Sequence, residues 1–387
     1  MRNFRYFQPT EIRFGRGRLS EIGDVVATYG RRCLLVTMPA FPSISPIYEK
    51  VKKHLKSSGI KLAHFDRVMA NPTTDIVTEG AALARQHEAD VILGLGGGSS
   101  MDTAKAIAVE AAHPGISWDY LFFRESQPTE KTLPIITVTT TSGTGSHVSQ
   151  VAVVTETDER CKSAIYNSFI FPKVSIVDPE LMLTVPKHVT ASTGFDVFAH
   201  AFESYINPGG SPYTDLLALE SLRIVAAYLP MAVGNGRNLE ARTWMAWADT
   251  LAGLSIANAG VTLPHGIGMA MSGLYPHVAH GEALAAVYPA VMRYSWQSAP
   301  GKFAVVARIF DPSLISSPDK RAAQKSCDVI GAFNREIGMG ISLKKLKIPE
   351  KEIRTLAEAS LVLPDYKNHP RVATLDEVCE LLKRSFR

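Results

Sequence analysis

Across roughly the first 180 residues, short aliphatic and β-branched runs alternate with longer amphipathic stretches, the pattern of a parallel sheet with helices on its faces. Cys33 to Thr37 reads as a strand and Ile47 to Ser58 as the helix after it. Ile60 to Val68 returns as a strand, Asp75 to His87 as a helix, and Asp90 to Gly94 as a central strand apolar on both faces. Met101 to His113 predicts a further helix, and Leu133 to Thr139, Val151 to Thr155 and Val174 to Val177 predict further strands. Beyond Pro179 and Pro186 the β-branched runs give way to helical periodicities, among them Ala199 to Tyr205, Leu216 to Tyr228, Ala241 to Ile256 and Leu375 to Lys383. The change sets a boundary near residue 185, with an α/β domain over 1–184 and an all-α domain over 185–387.

Composition narrows the function classes. Lys+Arg 41 against Asp+Glu 37 gives a formal charge of +4, too small and too scattered for a nucleic-acid-binding surface. Cys33, Cys161, Cys327 and Cys379 form no CxxC pair, so neither a disulfide framework nor a thiolate metal site is expected, and a reducing cytoplasm fits. The segment Met1 to Pro9 has charge but no continuous apolar run, which argues against a signal peptide. The most apolar stretch, Met245 to Val261, contains Asp249 and Asn258 and is short of a bilayer span, so it reads as a core helix and no membrane partner is expected.

Two glycine- and hydroxyl-rich loops follow predicted strands. The first, Gly94 to Ser100, sits between a strand and a helix start, where small residues let the backbone approach a pyrophosphate and unpaired N–H groups attract its oxygens. A tight βα turn needs glycine in any case, so this loop alone is weak evidence. The second, Thr139 to Ser146, leaves the same predicted sheet edge. Two such loops, without the Gly-Lys-Ser/Thr ending of a triphosphate loop, favour a dinucleotide.

Asp196 and His200 lie four apart on a predicted helix and hence on one face. Alone, the pair is more simply a helix-surface hydrogen bond than a ligand pair. His265 and His280, each followed by glycine, change that weighing, because one carboxylate and three imidazoles suit Zn²⁺ or Fe²⁺ better than Mg²⁺ or Ca²⁺. His277 stands nearby as a spare.

At these residues the chain resembles the iron-containing (group III) alcohol dehydrogenases. The similarity runs through Phe14 to Leu19, Asn71-Pro72-Thr73, Gly96 to Lys105, Thr140 to Ser146, Asp178 to Leu181, the Asp196/His200 helix, the two His-Gly pairs and Asn368 to Arg371, and so covers almost the whole chain. It implies a Rossmann-like N-terminal dinucleotide-binding domain, an all-α C-terminal metal-binding domain, and reversible hydride transfer between a nicotinamide and a primary alcohol or aldehyde. Carried over by motif, Gly97, Gly98 and Ser99 hold the pyrophosphate, Asp102, Thr139, Thr140, Ser142, Thr144 and Lys162 line the rest of the cofactor site, and Asn71 lies near it. Asp196, His200, His265 and His280 fall on the ligand positions for one divalent ion, Fe²⁺ or Zn²⁺.

Three departures from the family pattern bear on mechanism. Where the family carries a second histidine four residues after the first His-Gly ligand, this chain has Met269, whose thioether carries no proton at neutral pH. The turn Tyr275 to His280 is one residue longer than usual, which makes His277 the candidate catalytic proton carrier. His147 replaces a common glutamate. Met38 ends the Cys33 strand where NAD-preferring relatives often carry aspartate; it neither accepts from a ribose 2′-OH nor repels a 2′-phosphate, so the expectation leans to NADP(H) with NAD(H) open. A polyol dehydrogenase, a maleylacetate-type reductase and a dehydroquinate-synthase-like lyase are the alternatives, and a homodimer is expected from the frequency of symmetric assemblies.

Overall fold

The computed structural model describes residues 3–386. The chain divides into two compact units, Gln8–Val185 and the region from Pro186 onward, which also takes in residues 3–7. The first unit holds strands β1 (Glu11–Phe14), β2 (Arg32–Val36), β3 (Lys61–Phe65), β4 (Val91–Gly96), β5 (Ile135–Thr139), β6 (Val151–Glu156), β7 (Cys161–Tyr166) and β8 (Val174–Val177). Its longer helices are α1 (Ile22–Tyr29), α2 (Ser45–Ser57), α3 (Thr74–Gln86) and α4 (Gly98–Ala112). Six strands form one sheet in the order β1-β8-β5-β4-β2-β3, every pair parallel. Two apolar layers cover it: Ile22, Val25, Tyr48 and Val51 pack with one face, and Val77, Ala104, Ile107 and Val109 with the other. The central strands β2, β4 and β5 are accordingly almost wholly buried, as their unbroken aliphatic runs require.

Strand order reverses between β2 and β4, so the carboxyl ends of these neighbours flank the position where open α/β sheets take their ligands. β4 and β5 are also neighbours, with Gly96 paired to Thr139, so both glycine-rich loops leave adjacent strands in the same direction. β6, expected as a strand, does not join the main sheet: it forms a separate antiparallel hairpin with β7, which the sequence does not announce, with Val151 opposite Tyr166. The hairpin reverses at Thr157 to Arg160, where Arg160 takes a left-handed φ of 51°.

The second unit contains α5 (Lys187–Ile206), α6 (Pro212–Gly234), α7 (Leu239–Ala259), α8 (Leu263–Leu274), α9 (His280–Ser295), α10 (Pro300–Phe310), α11 (Asp319–Glu336), α12 (Ile353–Ser360) and α13 (Leu375–Arg384). Its main core surrounds α5, where Phe195, Phe198 and Phe202 pack with Tyr288, Phe303 and Phe333. A second cluster gathers α8, α9, α12 and α13. α5 is buried on nearly every side from Thr190 to Ile206, so any polar residue along it requires a partner. Among the described residues α6 alone is long and apolar enough to cross a membrane; it carries Asp215, Glu220 and Arg223 and packs against α5 and α7.

The first residues correct the expected boundary. Phe7 N–H donates to Asn258 Oδ1 (2.8 Å), Asn258 Nδ2 donates back to the Phe7 carbonyl (3.2 Å), and the Tyr6 ring meets Tyr213 at 4.3 Å. Tyr6 and Phe7 thus pack within the helical unit.

Candidate metal centre and dinucleotide cradle

On α5 the polar residues Asp196, His200 and Glu203 recur at intervals of four and three, one stripe on an otherwise apolar helix. All three side chains are buried. The stripe meets His265, in the first turn of α8, and His280, the first residue of α9. From Asp196 Oδ1, His265 Nε2 lies 3.5 Å away, His200 Nε2 3.7 Å and His280 Nε2 3.9 Å. The ligand atoms of Asp196, His265 and His280 all fall within 4.8 Å of one another, and the His200 and His265 rings stack at 4.6 Å.

These separations are long for hydrogen bonds and close to those of ligands sharing an ion: vertices of a tetrahedron about 2.1 Å from its centre are about 3.4 Å apart. Asp196 Oδ1 and His265 Nε2 are buried, and neither has a hydrogen-bond partner. Two orphaned buried atoms facing each other are costly unless a cation lies between them. The donor set therefore fits a divalent transition metal.

Glu203, to which the sequence reading gives no role, holds the centre from behind. Its Oε1 accepts from His265 Nδ1 (2.7 Å) and Tyr288 OH (3.1 Å), while Oε2 accepts from Thr262 N–H (2.7 Å) and Thr262 Oγ1 (3.0 Å). The His265 Nδ1 bond fixes the ring and presents Nε2 forward. The chain extends to His369, whose Nδ1 meets Thr262 Oγ1 at 3.1 Å and whose Nε2 meets Ser295 Oγ at 2.5 Å. Burial would raise the Asp196 carboxyl, but the imidazoles, His200 foremost, reverse this and hold it well below the usual carboxylate range. Burial pulls His265 down, but Glu203 and Asp196 together outweigh it and hold the imidazole at about 10. The pocket favours positive charge at its centre.

Glycine after His265 and after His280 has a steric cause. A Cβ on Gly281 would lie 2.1 Å from the Ser192 carbonyl oxygen, so only glycine lets α9 abut α5 and bring His280 to Asp196. A Cβ on Gly266 would lie 3.1 Å from the Ser360 carbonyl.

His277 is not brought to this group. It is exposed on the turn before α9, and its Nε2 donates to the Leu346 carbonyl at 3.0 Å. The ring is engaged with that surface acceptor, which corrects its expected placement beside the ligands. Met269 lies one turn along α8 from His265 and is buried.

In the sheet unit, α4 starts at Gly98 directly after β4 and Gly97, so the first amides of a 15-residue helix face the sheet's carboxyl edge. A Cβ on Gly98 would approach Thr144 Cγ2 to 2.5 Å, and one on Gly97 would approach Thr141 Oγ1 to 3.1 Å, so the two loops lean on each other only because both positions are glycine. Ser99 is half-buried at the mouth. Thr139 Oγ1 donates to the Thr141 carbonyl (2.8 Å), Thr140 N–H to the Gly96 carbonyl (2.9 Å), and Ser142 Oγ to Met182 Sδ (3.2 Å). Thr144 Oγ1 accepts from Ser146 N–H at 3.3 Å. Lys162 on β7 donates to Asn71 Oδ1 (2.8 Å), joining two residues 91 positions apart, and Asn71 holds a left-handed φ of 53°. Met38 is partly buried in the apolar layer under β2.

Asp102, expected along the cofactor site, braces the second loop. It accepts from Ser146 Oγ (2.6 Å) and Val153 N–H (3.2 Å). Beside it the fully buried Lys105 ammonium donates to the carbonyls of Ser146 (2.7 Å), Ser149 (2.9 Å) and Val151 (2.7 Å). Burial brings this lysine down to about 8 against the pull of Asp102. The pair ties α4 to the second loop.

Residues 9–179 match the family described as iron-containing alcohol dehydrogenase, and residues 190–386 match the family described as Fe-containing alcohol dehydrogenase, C-terminal. The chain is 39% identical over 374 residues to a choline dehydrogenase of Bacillus subtilis, covering 96% of this chain and 92% of that protein. It is 31% identical over 380 residues to an NAD-dependent methanol dehydrogenase of Bacillus methanolicus, covering 98% and 99%. Among solved structures, an archaeal halo-thermophilic alcohol dehydrogenase from a Red Sea brine pool superposes over 100% of both chains with a TM-score of 0.95 at 34% identity.

Proposed function

Since this chain belongs to the iron-containing alcohol dehydrogenases and is an oxidoreductase of that class, we propose that it interconverts a small primary alcohol and its aldehyde, using a nicotinamide dinucleotide and one divalent ion, Fe²⁺ or Zn²⁺. The observation that carries the reading is the buried Asp196 Oδ1 and His265 Nε2, 3.5 Å apart and otherwise unpartnered, with His200 and His280 beside them. Asp196, His200, His265 and His280 hold the ion, and Glu203 fixes the His265 ring. The ion, when bound, supplies Lewis acidity toward the substrate oxygen. A nicotinamide, when bound, would supply the hydride chemistry. Gly97, Gly98 and Ser99 offer amides to the pyrophosphate; Thr139, Thr140, Ser142, Thr144, Lys162 and Asn71 line the remainder, with Asp102 and Lys105 bracing the loop that carries them.

Met38 supports acceptance of NADPH, since no carboxylate there opposes a 2′-phosphate; the methanol-oxidising relative is named for NAD. A homodimer and a cytoplasmic setting complete the proposal, in keeping with four unpaired cysteines. The test is a panel of short alcohols and aldehydes followed at 340 nm with NAD(H) and NADP(H), with added Fe²⁺, Zn²⁺ or chelator. Metal-dependent, stoichiometric change in nicotinamide absorbance supports the reading, and turnover by protein shown free of metal overturns its Lewis-acid part.

A further inference from the structure

The segment Asn368 to Arg371, singled out in the sequence, has no part in the roles above. It continues the short 3-10 turn Pro364–Asn368 and is anchored on both sides. Before it, the chain presses on the start of α8, where a Cβ on Gly266 would lie 3.1 Å from the Ser360 carbonyl. After it, the Arg371 guanidinium lies 3.8 Å from the centre of the Tyr294 ring and bonds Glu377 at 2.7 Å. Between these anchors the His369 ring is buried, with Nδ1 3.1 Å from Thr262 Oγ1 and Nε2 2.5 Å from Ser295 Oγ. Thr262 Oγ1 in turn lies 3.0 Å from Glu203 Oε2, and Ser295 Oγ 2.7 Å from the Val291 carbonyl.

Counting protons gives this line a direction. Four contacts join the Val291 carbonyl, Ser295, His369, Thr262 and Glu203 in series, while two hydroxyls and a neutral imidazole hold three protons. One contact therefore goes without. At Glu203 the omission would set a hydroxyl lone pair against a buried carboxylate, and at either ring nitrogen it would set two lone pairs face to face. At Val291 it costs least, because that carbonyl belongs to the helical ladder of α9. The protons thus all point one way: Ser295 Oγ–H donates to His369 Nε2, His369 Nδ1–H to Thr262 Oγ1, and Thr262 Oγ1–H to Glu203 Oε2. Burial keeps the ring neutral, bringing it down to about 4 against the pull of Glu203; a charged ring would donate to Thr262 just the same.

We propose that His369 is a positioning residue of the metal centre: its Nδ1–H occupies the Thr262 oxygen and so commits the Thr262 proton to Glu203 Oε2, which keeps Oε1 on His265 Nδ1 and turns His265 Nε2 toward the ion. The inference rests on the metal-dependent reading above. It adds to that reading a residue 107 positions from Thr262 that acts on the ligand shell through two others.

The test reads Zn²⁺ affinity by competition with a chromophoric chelator. His369→Phe keeps a planar ring but loses the donor and should weaken Zn²⁺ binding about tenfold or more, whereas His369→Asn, whose amide N–H takes the place of Nδ1–H, should stay within about threefold of wild type. Both variants lose the bond to Ser295, so both should lower Tm; a role in folding alone would lower Tm without separating the two affinities. Thr262→Val should weaken binding as His369→Phe does, and combining the two should cost no more than the larger single loss, as residues in series require. On the native ring, ¹⁵N-histidine NMR of the Zn²⁺-loaded protein should show a protonated Nδ1 for the signal that His369→Asn removes. Equal affinities in His369→Phe and His369→Asn, additive losses with Thr262→Val, or a bare Nδ1 overturn this proposal alone. Wild-type protein that takes up no Zn²⁺, or whose affinity for it is unchanged by Asp196→Asn, overturns the metal-dependent reading and this one with it.

Discussion

Glu203 is the residue on which the metal centre's orientation depends. Replacing it with Gln keeps the volume but removes the charge opposite His265 Nδ1; metal affinity should fall by about 10- to 100-fold, read by competition with a chromophoric chelator. His265 itself sets a proton count. Held at about 10 without metal, it carries a proton at pH 8 that it must give up to become a ligand. Metal uptake by the stripped protein at pH 8 should therefore release about one proton into a weakly buffered indicator solution, and affinity should rise with pH. Proton release near zero would count against His265 as a ligand. Against these, His277→Ala should alter kcat by less than about twofold, since the exposed ring is engaged with Leu346 and not with the centre. What was legible in the sequence at this scale were residues with local signatures: the i,i+4 pair Asp196/His200 and the two His-Gly pairs. Glu203 had a signature too, as the third member of a polar stripe on an apolar helix.

Among the elements, α4 and the loop after β5 act as one assembly. Lys105→Met would leave the carbonyls of Ser146, Ser149 and Val151 without their donor. A loss of about 1 to 3 kcal/mol is expected for each buried acceptor that stays unpaired, and the KM for nicotinamide should rise more than kcat falls. At the α5–α9 contact, Gly281→Ala forces a methyl against the Ser192 carbonyl; metal content per chain should drop together with Tm. Elements themselves were predictable where apolar runs are pure, as in β2, β4 and β5. β1 escaped because Glu11 and Arg13 alternate with Ile12 and Phe14 at an edge, and only pairing with β8, far along the chain, makes it a strand. β6 was legible as a strand, but its partner β7 was not, because strand propensity says nothing about which partner a strand takes.

For the whole molecule, two histidines are folded in the neutral state. Burial, with the Lys105 charge adding to it, lowers His147 to about 3, and burial lowers His369 to about 4. Both have depressed folded values, so the unfolded chain binds protons first as pH falls below about 6.5; the stability they permit is present above that point and is lost on the way down to pH 4 and 3. Urea midpoints should fall across this window, and His147→Gln should flatten the slope. The two-domain plan and the family were both readable before any coordinates, because periodicity changes near residue 185 and the motifs span the chain; the destination of Tyr6 and Phe7 was not, since nothing in them names Asn258 and Tyr213 as neighbours.

That stitch gives the helical unit a discontinuous origin. Its opening piece is synthesised before the sheet and must wait, unpartnered, until α7 has emerged some 250 residues later. A protease cut just after Phe7 would consequently loosen the bundle at α7 while sparing the sheet, and an N-terminal fusion partner would be tethered to the metal-holding half of the protein.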